Sequence, residues 1–311
     1  MNVVRVIVYH RHAGQLAARL REARPDLTVV ASTDPSHLQE ELAGAEILFA
    51  SGFARLDFSS AARLRWVQVL SAGVDHLAGT LPPSVLLTRG YGLHDAAVSE
   101  HCLGRILAHA LNLRQAWQQQ GERRWQRYPV ERISGKVLGL AGLGVIGSAI
   151  ARRARAFDMR ITGWRRVAVP VEGVDRVYGR EQLYEFLSTA DYLVILLPLT
   201  PETRGRFGAK EFEAMKPGAV LVSLGRGQVI QEPELIAALK RGRPAHALLD
   251  VFAEEPLPAD SELWSLPNVA ITPHNAGGSS LEAGLALFLE NLEAWSSGRP
   301  LKGRVDPARG Y

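Results

Sequence analysis

The sequence predicts an α/β protein made of two doubly wound parallel-sheet domains, the second inserted in the first. Three observations carry this. Strand-like runs alternate with helical ones along the whole chain, the rhythm of parallel sheets with helices on both faces. A glycine-rich turn, "GLGVIG" (142–147), joins one such strand to one such helix. The 311 residues are enough for two hydrophobic cores.

The elements follow in order. "VVRVIVY" (3–9) reads as a buried strand and "GQLAARLREA" (14–23) as a helix. "LTVVAS" (27–32), "AEILFAS" (45–51), "RLRWVQVLS" (63–71) and "VLLTRG" (85–90) read as four more strands. From Ala97 to Gln120 there is no proline, and Gly104 is the one breaker. Val98, Cys102, Ile106, Leu107, Ala110 and Leu111 recur there at helical spacing, which predicts one long helix. "GERRWQRYPVERISG" (121–135) is polar and irregular, a loop or linker. Its arginines either reach a second subunit or an acidic substrate, or simply make a solvated turn.

A second βα series starts at Lys136. "KVLGLAG", "RITGW", "YLVILLPL", "AVLVSLG", "AHALLDV" and "VAITP" read as its strands. "VIGSAIARRARAF", "REQLYEFLSTA", "AKEFEAMKPG" and "EPELIAALKRG" read as its helices, the third stopped by a Pro-Gly turn. "SSLEAGLALFLENLEAWSSG" (279–298) is a last amphipathic helix, expected to return to the first domain. The boundaries are therefore 1–96 plus 279–311 for one domain and 97–278 for the other.

Composition narrows the class. Lys and Arg total 36 against 32 Asp and Glu, a net charge of +4 with no long block of one sign. That argues against a nucleic-acid arm or a polybasic membrane patch. No window is apolar for about 18 residues, so no membrane span is expected. The single cysteine, Cys102, cannot form an intrachain disulfide and fits a reducing compartment. The expectation is a cytoplasmic protein without nucleic-acid or membrane partners.

The glycine turn gives the first functional reading. Gly142, Gly144 and Gly147 form G-x-G-x-x-G after a predicted strand and at the start of a predicted helix, the context of a Rossmann dinucleotide site. The first glycine permits the turn, the second lets backbone approach the pyrophosphate, and the third lets helix and strand pack. The helix N-terminus, with Val145 and Ile146, faces the phosphate charge. The next strand ends at Trp164, where an NAD site places an acid to accept from the ribose hydroxyls. Here Arg165 and Arg166 follow instead. They can only donate and neutralise, which suits a 2′-phosphate and predicts NADP(H), with NAD(H) as the weaker cofactor. The alternative is a solvated arginine pair with little discrimination.

Three charged residues lie just past predicted strands: Arg226 in "LGRGQVI", Glu255 in "LDVFAEEPLP" and His274 in "TPHNAGG". Open α/β sheets bind ligands at that edge. Reduction of a 2-keto acid needs a hydride, a proton donor and a cation for the carboxylate. A histidine suits the proton, a carboxylate can hold its ring, and an arginine suits the substrate.

Together, "LSAGVDHL" (70–77), "GLGVIG", "LLPLTPETRGRF" (196–207), "LGRGQVI", "LDVFAEEPLP" and "TPHNAGG" resemble the D-isomer-specific 2-hydroxyacid dehydrogenases, over nearly the whole chain. "WRR" (164–166) and "LLPLTPETRG" look most like the NADP(H)-dependent glyoxylate/hydroxypyruvate reductase branch. The resemblance implies a Rossmann cofactor domain inserted in a flavodoxin-like substrate domain, a cleft that closes, and a homodimer built on the cofactor domain. It implies Arg226 as the catalytic arginine, His274 as general acid/base and Glu255 as its partner, with Glu254 as the rival. It implies cofactor contacts from Trp164, Leu197, Pro198, Thr203, Leu224, Asp250 and Gly277, with Thr200 and Gly278 beside them. Asp250 reads alternatively as a strand-end cap. Substrate contacts fall on Ser51, Gly52, Ala72, Gly73, Arg226 and His274, and no metal is expected. Phe53 either shapes the pocket or packs in the core.

One segment departs from the family pattern. "GLHDAAVSEH" (92–101) carries His94 and Asp95 where a small amide or hydroxyl residue is usual. They either line the cofactor side or cap the helix. The implied reaction is NADPH-dependent reduction of glyoxylate, hydroxypyruvate or a similar small 2-keto acid to the D-2-hydroxy acid. Two alternatives stand beside it: the same chemistry on a bulkier 2-keto acid, and a dinucleotide-sensing, co-repressor-like interaction protein. The intact Arg, Glu and His set argues against the second.

Overall fold

The computed structural model describes residues 4–51, 56–77 and 79–311. Gly52 and Phe53 lie outside them. The chain divides into two compact units, Met1–His94 with Ser279–Tyr311, and Asp95–Gly278.

In the first unit, β1 (Arg5–Tyr9), β2 (Thr28–Ser32), β3 (Ile47–Ala50), β4 (Trp66–Val69) and β5 (Leu86–Thr88) form one parallel sheet in the order β2-β1-β3-β4-β5. That is the flavodoxin-like order. The inner strands β1, β3 and β4 are short apolar runs largely buried on both faces, as central parallel strands between helix layers are. Helix α1 (Ala13–Ala23) connects β1 to β2, and α2 (Pro35–Leu42) connects β2 to β3. The sequence reading passed over α2, although its start signals are present. Asp34 accepts from the His37 amide at 2.8 Å, and Pro35 stands at the first turn.

In the second unit, β6 (Val137–Ala141), β7 (Arg160–Trp164), β8 (Arg176–Tyr178), β9 (Tyr192–Ile195), β10 (Val220–Ser223), β11 (His246–Leu249) and β12 (Val269–Ile271) are all parallel. Their order is β12-β11-β10-β9-β6-β7-β8, the Rossmann arrangement with its switch point between β6 and β9. Strand β8 went unread because it is a three-residue edge strand with little periodicity to show.

The helix expected from Ala97 to Gln120 is two helices, α3 (Asp95–Ala110) and α4 (Leu113–Gly121). Asn112 breaks it by adopting a left-handed backbone, φ 47° and ψ 50°. Asn tolerates that conformation better than most residues. Apolar spacing alone carries no trace of the break. The remaining helices of the unit are α5 (Val145–Arg155), α6 (Leu183–Leu187), α7 (Ala209–Ala214) and α8 (Glu232–Lys240). Segment 122–135 is irregular, as its composition suggested.

The last helix, α9 (Leu281–Ser296), belongs to the first unit. Its Phe288 stacks on Phe49 and on Trp66, with ring centroids 4.3 and 5.2 Å away. Asn291 donates to the buried Gln68 carbonyl at 2.8 Å, and Thr88 donates to the same oxygen. No helix among the described residues is long and apolar enough to cross a membrane.

Candidate active site

Strand β6 delivers the chain into the glycine turn. Gly142 has φ 116°, a conformation that favours glycine, and its amide donates to the Trp164 carbonyl at 3.1 Å. A Cβ on Gly147 would lie 2.2 Å from the Gly142 carbonyl oxygen, so the third glycine is what lets α5 start against the turn. Gly144 faces open space, and no side chain among the described residues caps the first turn of α5. Val145 and Ile146 are half-buried there. An uncapped helix start beside an open glycine fits a dinucleotide pyrophosphate.

At the end of β7, Trp164 is buried and Arg165 is half-exposed. Among the described residues no acid pairs with Arg165. Arg166 meets Glu202 at 3.4 Å, and Arg180 reaches the same carboxylate at 3.8 Å. The Trp164 indole N–H donates to the Arg180 carbonyl at 3.4 Å. Three arginines and one glutamate therefore gather beyond β7. The sequence reading found two of the arginines. Arg180 opens the segment "REQLYEFLSTA" and Glu202 lies within "LLPLTPETRGRF", but nothing local to either ties it to the end of β7.

After β9, Leu197 is buried and Pro198 opens a turn. The Thr203 hydroxyl donates to the Pro198 carbonyl at 2.6 Å and accepts from the Thr200 amide at 2.8 Å. Leu224 follows β10, its amide donating to the Ile195 carbonyl at 3.2 Å. These residues line the C-terminal edge of the sheet beside its switch point.

Arg226 comes next, ahead of a short turn at Gly227–Val229. A Cβ on Gly227 would fall 1.9 Å from the Phe252 carbonyl carbon. That close approach sets the Arg226 loop against the loop that carries Glu255. Glu255 accepts from the Phe252 amide at 2.9 Å through Oε1. Its other oxygen, Oε2, lies 2.6 Å from Nδ1 of His274. Glu255, not Glu254, makes this contact; Glu254 is exposed. His274 itself has φ 49°.

Asp250 is 1% exposed, at the end of β11. Its carboxylate accepts from the Thr272 hydroxyl at 2.6 Å and from the amides of Asn275 and Ala276 at 3.2 and 3.0 Å. His101 and Arg105 of α3 approach the same group, and sequence reasoning assigned neither of them a role. Gly277 and Gly278 follow, exposed.

The candidate substrate residues of the first unit lie at the C-terminal edge of its own sheet. Ser51 follows β3 and donates from its amide to the Tyr9 carbonyl at 2.9 Å. Ala72 and Gly73 follow β4, half-buried. Arg89 donates to the Ala72 carbonyl at 3.3 Å, and burial lowers its pKa. His94 Nε2 meets the Leu70 carbonyl at 2.8 Å. Asp95 accepts from the Ala96 amide at 3.0 Å, a helix-start contact.

Comparison with known proteins agrees with the fold that carries these residues. The family model for the D-isomer specific 2-hydroxyacid dehydrogenase NAD binding domain matches residues 103–276. A glyoxylate/hydroxypyruvate reductase A from Yersinia enterocolitica is 33% identical over 264 residues, covering 81% of this chain and 83% of that protein. A D-isomer specific 2-hydroxyacid dehydrogenase family protein from Aeromonas salmonicida superposes with a TM-score of 0.89 at 33% identity, over 98% of this chain and 100% of that one. An NADPH-dependent glyoxylate/hydroxypyruvate reductase from Sinorhizobium meliloti, solved with NADP and sulfate, gives 0.88 at 31% identity, over 99% and 100%. The family model, the curated relative and the superposed structures agree with the fold, and the chain belongs to the D-isomer specific 2-hydroxyacid dehydrogenase family, with an NAD-binding domain in its second unit.

Proposed function

We propose that the protein reduces a small 2-keto acid, of the glyoxylate or hydroxypyruvate type, to the D-2-hydroxy acid with NADPH. The observation that carries this reading is the 2.6 Å contact between His274 Nδ1 and Glu255, on the strand edge that also holds the glycine turn. With Nδ1 held by a carboxylate, Nε2 is left to face a ligand, and the tautomer is fixed. When bound, the nicotinamide supplies a hydride to the keto carbon. His274 Nε2 gives a proton to the carbonyl oxygen, and Glu255 stabilises the ring while it is charged. Arg226 binds the substrate carboxylate and polarises the carbonyl beside it.

The cofactor reading rests on Arg165, which no acid neutralises among the described residues, with Arg166 and Arg180 beside it. A 2′-phosphate would complete that charge set. The named relatives favour the same chemistry. Side-by-side initial rates with NADPH and NADH, on glyoxylate, hydroxypyruvate, pyruvate and phenylpyruvate, test it. NADPH preference with a small keto acid is expected. Equal use of NADH would leave the arginines solvated, and a preference for phenylpyruvate would move the substrate to the bulkier class.

We also propose a homodimer formed through the second unit. Trp117 and Trp125 are 65% and 99% exposed there, with Val130 nearby at 55%. Trp125 lines a surface hollow with Ala116, Gln119 and Tyr128, and an exposed apolar patch of this kind supports an interaction surface. Sedimentation of the wild type as a dimer and of Trp125→Glu as a monomer is the expected result.

A further inference from the structure

We propose that Thr272 and Arg105 are positioning residues for His274, acting by clamping the backbone on one side of it. The proposal rests on the reading of His274 as the proton donor. His274 sits in the left-handed region, φ 49°. A residue with a Cβ is strained there and stays only when its surroundings hold it. Asp250 supplies the hold, and it does so on both flanks. After His274, the amides of Asn275 and Ala276 donate to the Asp250 carboxylate. Before it, the Thr272 hydroxyl donates to the same carboxylate at 2.6 Å. The His274 amide is itself shared between the carbonyls of Asp250 and Thr272, at 2.8 and 3.1 Å.

Arg105 fixes the direction of this chain of hydrogen bonds. Its guanidinium donates to Thr272 Oγ1 at 2.8 Å and to the Ala270 carbonyl at 2.6 Å. A guanidinium cannot accept, so Thr272 must accept from it and send its one hydrogen to Asp250. His101 Nε2 lies 3.3 Å from the same hydroxyl and 3.6 Å from the Asp250 carboxylate. With the hydroxyl hydrogen already committed, His101 can take part only as a donor, from Nε2. The forked contact of Arg105 pins the last residues of β12 to α3, and the hydroxyl passes that restraint to Asp250.

Without the hydroxyl, one flank of His274 is released. The strained residue relaxes toward ordinary backbone angles, and Nδ1 moves off Glu255. Asp250, the implied cofactor contact, keeps its bonds from the Asn275 and Ala276 amides, and the glycine turn and the arginines beyond β7 are untouched, so dinucleotide binding is largely kept. The loss should therefore fall on kcat.

The test uses full-length Thr272→Val, Thr272→Ser and Arg105→Met, with hydroxypyruvate and NADPH. Turnover is expressed per cofactor-binding site, counted by fluorescence titration with NADPH, so that misfolded protein does not register. Thr272→Val should lower kcat about 10- to 100-fold, the range expected when a reacting group is displaced by about 1 Å. The KM for NADPH should stay within about threefold, since only turnover-specific contacts are removed. Thr272→Ser should recover most of the loss because it restores the hydroxyl, and Arg105→Met should lower kcat about tenfold. Unchanged kcat in Thr272→Val and Arg105→Met, a loss carried by the NADPH KM, or a serine variant as poor as valine would each overturn the clamp. Should Thr272→Val fail to fold, Arg105→Met decides by the same readouts. His274→Ala runs alongside: if it retains turnover, the proton-donor reading falls first, whereas an inactive His274→Ala with an active Thr272→Val sinks the clamp alone.

Discussion

His274 and Glu255 meet at 2.6 Å across a sequence separation of 19 residues. Removing the imidazole should lower kcat about 10²- to 10⁴-fold, the usual worth of a general acid. Glu255→Gln should lose less, because an amide still holds the ring but does not balance its charge. Glu254→Gln should turn over like the wild type. Steady-state kinetics of the three variants checks the order. Arg165→Ser should raise the KM for NADPH about tenfold or more and leave that for NADH nearly unchanged, since a charge-assisted contact to phosphate is lost. Equal effects on both cofactors would remove Arg165 from the 2′-phosphate. At this scale the sequence showed what sits next to a strand end. Arg226, Glu255 and His274 could be singled out because each lies within six residues of the end of a strand with an apolar signature. Arg180, Glu202 and Arg105 were not, because tertiary packing alone brings them to Arg166 and Thr272.

Helices α3 and α4 show where periodicity stops being informative. Their apolar residues keep helical spacing through Leu111, yet Asn112 turns left-handed. Asn112→Gly should leave stability nearly unchanged. Asn112→Val should cost about 1–2 kcal/mol, since a β-branched residue resists φ > 0. Chemical denaturation measures both. Near the end of α3, His109 lies against His246 and Tyr192, with ring centroids at 4.6 and 6.4 Å. Burial, and then the His246 charge, hold its pKa below the ordinary value, while Glu131 pulls the other way. The unfolded chain therefore takes up this proton more readily than the folded one. The stability that His109 contributes is present above the ordinary histidine value of about 6.5 and is lost as pH falls below it. His109→Asn should flatten the fall in unfolding free energy between about pH 7.5 and pH 5. An unchanged slope would place the titration elsewhere.

Among the described residues, two sheets of different strand order, five strands and seven, fall in the two units. The parallel α/β class was readable from the alternation of runs. The return of α9 to the first unit was readable only as an expectation, because an amphipathic helix does not say which sheet it covers. Phe288 and Asn291 decide it, the one by stacking on Trp66 and the other by satisfying buried Gln68. Asn291→Leu should destabilise the first unit by about 1–3 kcal/mol, since the Lys302 amide and carbonyl lose Asn291 as their partner and Gln68 keeps only Thr88 on its oxygen. A melt of the variant in which the transition of the first unit moves and that of the second does not would agree.

The most direct test of the account follows the hydride itself. Hydroxypyruvate is incubated with NADPH carrying deuterium at both C4 positions of the nicotinamide, and the glycerate formed is analysed for label and configuration. D-glycerate with deuterium at C2 is the expected product. Unlabelled product, L-glycerate, or NADPH that binds and is never oxidised by any 2-keto acid would contradict it.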